Sequence, residues 1–142
     1  MSMRNFSAYV IAVAVLGLSF ITPAAASAID GKWVSVRQVG DADGKTYEHT
    51  STFELRERDG VLTGTVVQVS AAPWMKSLTG RTLELSEGKV EGDKFIFKLK
   101  MESAQGERTA IYEGTLDGDR LTGTTKYRGI GITEPFNATR AK

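Results

Sequence analysis

From Lys32 to the C-terminus the chain is written in period two. Apolar and polar residues alternate in runs cut by glycine turns, and no long segment repeats apolar residues at helical spacing. "DKFIFKLKM" is the clearest run: Phe95, Phe97, Leu99 and Met101 share one face, and Ile96, Lys98 and Lys100 share the other. Such a strand has one dry side and one wet side. Eight strands are predicted, at 32–39, 47–57, 61–70, 81–90, 94–102, 108–116, 120–128 and 135–141. Three connections are tight and acidic, "RDG" (58–60), "EGD" (91–93) and "DGD" (117–119), with steps that supply the positive φ of short hairpins. They alternate along the chain with four longer ones, "GDADGKT", "AAPWMKSLTG", "SAQGE" and "GIGITE". In an up-and-down meander alternate turns fall at opposite ends, so the tight turns gather at one end and the long loops at the other. Eight strands close into a barrel with room for side chains or one small ligand, and closure removes exposed edges. The predicted fold is therefore all-β, a single up-and-down antiparallel eight-stranded β-barrel.

Residues 1–28 read differently. Arg4 is followed by the apolar run "VIAVAVLGLSFI" and by "AAASA", which offers A-x-A sites ending at Ala26 or Ala28. These are the marks of a cleaved signal peptide, and the run is too short to span a bilayer comfortably. The expected product is a barrel domain at 29–142 without a membrane span, periplasmic or secreted, and the chain reads as bacterial. Arg4 is the one charged residue of the leader, which leaves 17 basic against 17 acidic residues in the domain, without blocks of either sign. That balance argues against a nucleic-acid partner. The chain has no cysteine, so disulfides, thiolate metal sites and a lipid-modified N-terminal cysteine are excluded.

"LTGT" occurs twice, at 62–65 and 121–124. Alternation turns Gly64, Gly114 and Gly123 inward, where an absent side chain permits a sharp bend or makes room for a neighbouring aromatic. These glycines are assigned a structural role. "GKW" (31–33) opens the first strand and resembles the G-x-W motif of lipocalins and other calycins. The resemblance implies that Trp33 plugs the closed end, with a basic side chain near the last strand packed on it, and Arg140 in "FNATRAK" is suitably placed. The "DGVLTGT" hairpin is similar to strands of avidin-like barrels. The wider pattern of G-K-W, D-G-x-L-T-G-T, G-K-V-x-G-D, Y-x-G-T-x-x-G-D and F-x-A-x-R resembles a group of small exported bacterial proteins without an established activity.

With Trp33 inward, period two places Ser35, Arg37 and Val39 inside the first strand and Tyr47, His49, Ser51, Phe53 and Leu55 inside the second. Gln68, Met101, Tyr112, Thr125 and Tyr127 join them. The expected cavity is apolar at its floor and polar at its mouth, suited to a small amphipathic ligand. Candidate ligand-binding residues are Arg37, Tyr47, His49, Gln68, Tyr112 and Tyr127, with Trp74 in the longest loop either folding over the mouth or packing on the outer wall. Arg37 also fits a solvent-facing role or a pair with a loop carboxylate, His49 a hydrogen bond near the rim, and Tyr112 and Tyr127 a core role with satisfied hydroxyls.

No catalytic residue, metal site or cofactor is assigned. One histidine and no cysteine give no Cys/His pair and no multi-histidine metal site, and no nucleotide-binding, G-x-S-x-G or H-E-x-x-H motif occurs. The leading expectation is a non-enzymatic, exported β-barrel that binds a small, partly apolar ligand at its open end. Beside it stands an accessory module binding an envelope protein or polysaccharide, or inhibiting a hydrolase, through its outer loops. A third is a cofactor-free isomerase or cyclase with Tyr47 and His49 as acid and base.

Overall fold

The computed structural model describes residues 26–103 and 106–142. Most of the expected leader, 1–25, and residues 104–105 of the "SAQGE" connection lie outside the described residues. Eight antiparallel strands run in chain order around a closed barrel: β1 Gly31–Gly40, β2 Thr46–Arg58, β3 Val61–Ser70, β4 Thr82–Glu91, β5 Lys94–Ser103, β6 Gly106–Asp117, β7 Arg120–Tyr127 and β8 Ile132–Arg140. A 3-10 turn at Pro73–Met75 interrupts the long β3–β4 connection. Among the described residues no helix is long and apolar enough to cross a membrane.

The hairpins follow their residues. At the β2–β3 turn Asp59 and Gly60 hold φ of 54° and 80°, the left-handed pair that a two-residue hairpin needs to match strand twist. The β5–β6 connection is shorter than expected. The ladder continues through Glu102↔Glu107 and Ser103↔Gly106, because the alternation of these strands carries on into the polar residues assigned to the loop.

The lower half of the barrel is filled with rings. Phe53, Phe95, Phe97, Tyr112 and Phe136 come from β2, β5, β6 and β8, all at most 5% exposed, with centroids from 4.8 to 6.2 Å apart. Below them the tight-turn end is closed by Trp33, which is fully buried. Its Nε1 donates to the Ile29 carbonyl at 2.9 Å, and the Arg140 guanidinium lies 4.3 Å from its ring centroid. Arg140 also donates to the carbonyls of Ala28 and Asp30 at 2.6 and 2.7 Å and to Asp119 at 3.0 Å. The turn before β1 is thereby tied across the end of the barrel.

Closure is uneven around the wall. β1 pairs with β2 from Gly31↔Leu55 to Gly40↔Thr46, but its pairs with β8 are confined to Trp33↔Arg140 and Val34↔Thr139. Above that level the two strands diverge, and side chains rather than a backbone ladder bridge them.

Candidate functional site

The divergence of β1 from β8 places three polar side chains at mid-height. Arg37 on β1 reaches Glu134 on β8 through Nη1 and the Tyr127 hydroxyl on β7 through Nη2, the latter at 3.2 Å. The Tyr127 hydroxyl also lies 3.4 Å from the Glu134 carboxylate, so the phenol accepts from the arginine and donates to the acid. Burial opposes the charge on Arg37, but Tyr127 and Glu134 outweigh it and raise its pKa. Burial likewise raises the Tyr127 and Tyr112 phenols.

Two spaces meet at this cluster, sharing Arg37 and Tyr127. Above it, at the long-loop end, is an open cavity of about 640 Å³, bounded by Gln68, Met101, Arg108 and Glu134 and by Trp74, Met75, Leu78, Ile130 and Ile132 of the loops and rim. Beneath it is a chamber of about 70 Å³ lined by Ser35, His49, Ser51, Thr125 and Asn137 together with Phe53, Tyr112 and Phe136. The chamber is polar and large enough for ordered water, which needs only about 10–15 Å³ of such space.

His49 is 2% exposed, its Nε2 sits 3.3 Å from Ser51 Oγ, and its Nδ1 has no partner among the described residues. Desolvation first, and then the Arg37 charge, lower its pKa from 6.5 to about 4, with Glu134 pulling the other way. The imidazole is thus neutral at pH 7. The unfolded chain takes up the proton near pH 6.5 and the folded chain only near 4, so this contribution to stability is full above about pH 6.5 and is lost towards pH 4. Urea denaturation should show His49 costing the wild type about 2–3 kcal/mol between pH 7.5 and 4.5, beyond the change seen in His49→Gln. Equal pH dependence in the two proteins would rule out a buried neutral imidazole.

The residues named from the sequence are distributed between the two spaces. Arg37, Gln68, Trp74 and Tyr127 line the upper cavity, while His49 and Tyr112, again with Arg37 and Tyr127, line the lower chamber. Tyr47 lines neither. Its hydroxyl lies 3.3 Å from Asp41 in the β1–β2 loop, and its ring meets Trp74 edge-on with centroids 5.5 Å apart. Tyr47 and His49 therefore share no cavity. Trp74 forms one side of the mouth and remains 53% exposed, so it borders the opening without sealing it.

Comparison of the chain with models of known families, with curated proteins and with solved structures returns no match. The site has to be read from its own geometry.

That geometry reverses the expected gradient. The phenylalanines expected as an apolar floor pack against one another, so the larger space lies above the polar layer and only the small chamber lies beneath it. The upper cavity accordingly has a polar floor, made by the Arg37–Tyr127–Glu134 cluster and Gln68, and an apolar rim, made by Trp74, Met75, Leu78, Ile130 and Ile132. Glu134 was missed because the last strand was expected to begin at 135. Extending the alternation of Phe136 and Ala138 by one step turns Glu134 inward.

Proposed function

We propose that the protein is an exported, non-enzymatic calycin-like barrel that binds a small, partly apolar molecule in the cavity at its long-loop end. The observation that carries this reading is the 640 Å³ space itself, which falls within the roughly 300–1,000 Å³ typical of small-molecule sites. It combines an apolar rim with a polar floor of Arg37, Tyr127, Glu134 and Gln68. The molecule would enter polar end first and leave its apolar part against Trp74, Met75 and Ile130. Export fits the leader-like first residues, and cleavage after Ala26 leaves intact the turn in which the Asp30 amide donates to the Ser27 carbonyl at 3.0 Å.

Native mass spectrometry of the protein isolated from the envelope of its own cell tests the reading. Wild type should carry an additional small-molecule mass, and Val39→Trp, which fills the cavity from β1, should not. Wild-type protein isolated with no bound mass would count against it.

A surface-interaction module binding an envelope protein or polysaccharide is the second reading. It is favoured by the exposure of Trp74, Ile130 and Ile132, at 53%, 42% and 47%, since apolar side chains grouped at one rim mark contact surfaces. Under that reading Val39→Trp retains full function while Trp74→Ala does not, the reverse weighting from a cavity binder. The acid–base reading on Tyr47 and His49 gains nothing from two groups that face different surroundings.

A further inference from the structure

We propose that the long-loop end of the barrel docks on the surface of an anionic phospholipid bilayer, with the cavity mouth against the lipid. The domain's charge is balanced overall but not between the connections at its two ends. Each tight turn, 59–60, 92–93 and 118–119, holds an acid and no base: Asp59, Asp93 and Asp119. At the other end the β3–β4 connection (71–81) holds Lys76 and Arg81, the β7–β8 connection (128–131) holds Arg128, and neither holds an acid. The β1–β2 connection (41–45) sets Asp41 and Asp43 against Lys45. The Asp41 carboxylate is engaged within its own loop, by the amides of Asp43 and Lys45 and by the Tyr47 hydroxyl. The long loops therefore meet an approaching surface with an excess of base, and an anionic surface complements it.

The two basic connections also carry apolar side chains into solvent. Trp74 and Ile130 are exposed, as is Ile132 at the start of β8, and all three border the cavity mouth. In a closed ring of eight strands the β3–β4 and β7–β8 connections lie half a turn apart, so these side chains stand on opposite sides of the mouth. A surface that touches both lies across the opening. Lys76 follows Trp74 by two residues and Arg128 precedes Ile130 by two. That pairing suits the boundary of a bilayer, where indole and aliphatic groups enter the headgroup layer and each base near an anionic surface strengthens binding about fivefold. Lipid is favoured over the protein or polysaccharide of the second reading because base and apolar side chain recur together on both sides of the mouth, as one continuous surface requires. The docking does not depend on the cavity being filled. Joined to the binding role proposed above, it lets a partly apolar molecule pass between bilayer and cavity without crossing water.

Co-sedimentation of the purified protein with vesicles tests the proposal, using phosphatidylcholine alone and phosphatidylcholine mixed in equal parts with phosphatidylglycerol. The mixed vesicles should bind about tenfold or more tightly than the neutral ones, with the advantage lost at high salt. Tryptophan emission should shift to the blue on binding, because Trp74 leaves water while Trp33 is already fully buried. Trp74→Ala should weaken binding to the mixed vesicles by about tenfold. Lys76→Gln combined with Arg128→Gln should remove most of the preference for phosphatidylglycerol. Val61→Ser is the control: Val61 is as exposed as Trp74, at 55% against 53%, but starts β3 at the tight-turn end, and its loss should leave binding unchanged. Val39→Trp, which fills the cavity, should still sediment with the mixed vesicles. Loss of sedimentation in Val39→Trp would mean uptake of single lipids by the cavity and would overturn surface docking. So would equal weakening by Val61→Ser, or absence of binding to the mixed vesicles. If the same loops instead capture an envelope protein while ignoring vesicles, the docking proposal falls and the cavity's binding role is untouched.

Discussion

Trp33→Ala should cost the barrel about 3–5 kcal/mol, the range for truncating a fully buried large aromatic. A domain of this size has about 5–15 kcal/mol in total, so the variant is expected to be partly unfolded at 37 °C. Three losses combine. The indole is completely buried, so its removal leaves a cavity between the closed end and the aromatic cluster. The Ile29 carbonyl loses its donor. The Arg140 guanidinium loses the ring it covers at 4.3 Å, an interaction worth roughly 0.5–2 kcal/mol. The position also matters more than an average core site, because Trp33↔Arg140 is one of the two pairs that close β1 onto β8. Urea denaturation followed by circular dichroism measures the loss, and Arg140→Met should account for the smaller part of it. A Trp33→Ala midpoint within about 1 kcal/mol of wild type would show that the closed end is held by something other than this pair.

Alternation and acidic turns made the barrel legible in the sequence, since a period-two pattern assigns each residue to a face and short Asp-Gly turns leave little freedom in register. What resisted reading depended on filling and on contacts between loops. Whether Phe53, Phe95, Phe97 and Phe136 would line a space or occupy it is a question of summed volume, which alternation does not address. Their mutual packing moved the cavity upward and exchanged its polar and apolar ends. Tyr47 occupies an inward position by period, yet at the strand's end its hydroxyl is free to turn to Asp41. Glu134 sits beyond the sequence-assigned strand start, where the pattern "GITEP" reads as loop, although β8 begins at Ile132. The divergence of β1 and β8 has no sequence signal of its own. β1 and β8 are the first and last strands of the barrel, the one neighbouring pair that no connection joins.

Gly123→Ala should be at least as damaging as Trp33→Ala, although it adds a single methyl group. Gly123 and Gly114 face each other across β6 and β7, and neither has a positive φ, so the need for glycine is one of approach. A Cβ on Gly123 would lie 1.9 Å from the Glu113 carbonyl oxygen and 2.5 Å from the Gly114 Cα. Those are backbone atoms of the ladder, which cannot move aside as a flexible side chain would. Ordinary overpacking costs about 1–3 kcal/mol because neighbouring side chains shift; here the two strands must separate, and the expected loss exceeds about 3 kcal/mol. The register shows what the pinch achieves. Phe95 pairs with Gly114 and Phe136 with Gly123, so the two phenylalanines flank the pair of glycines, and their rings meet across it with centroids 6.2 Å apart. Separating β6 from β7 therefore also opens the aromatic cluster that supports the polar layer and the cavity above it. Near-UV circular dichroism should report loss of ordered ring packing in Gly123→Ala, alongside a lowered denaturation midpoint. Gly40→Ala is the control: its added Cβ finds no atom nearer than the Lys45 carbonyl oxygen at 3.9 Å, and it should stay within about 1 kcal/mol of wild type. Equal stability of the two variants would mean that the β6–β7 approach is looser than this register requires, and would remove the link between the glycine pair and the packing beneath the cavity.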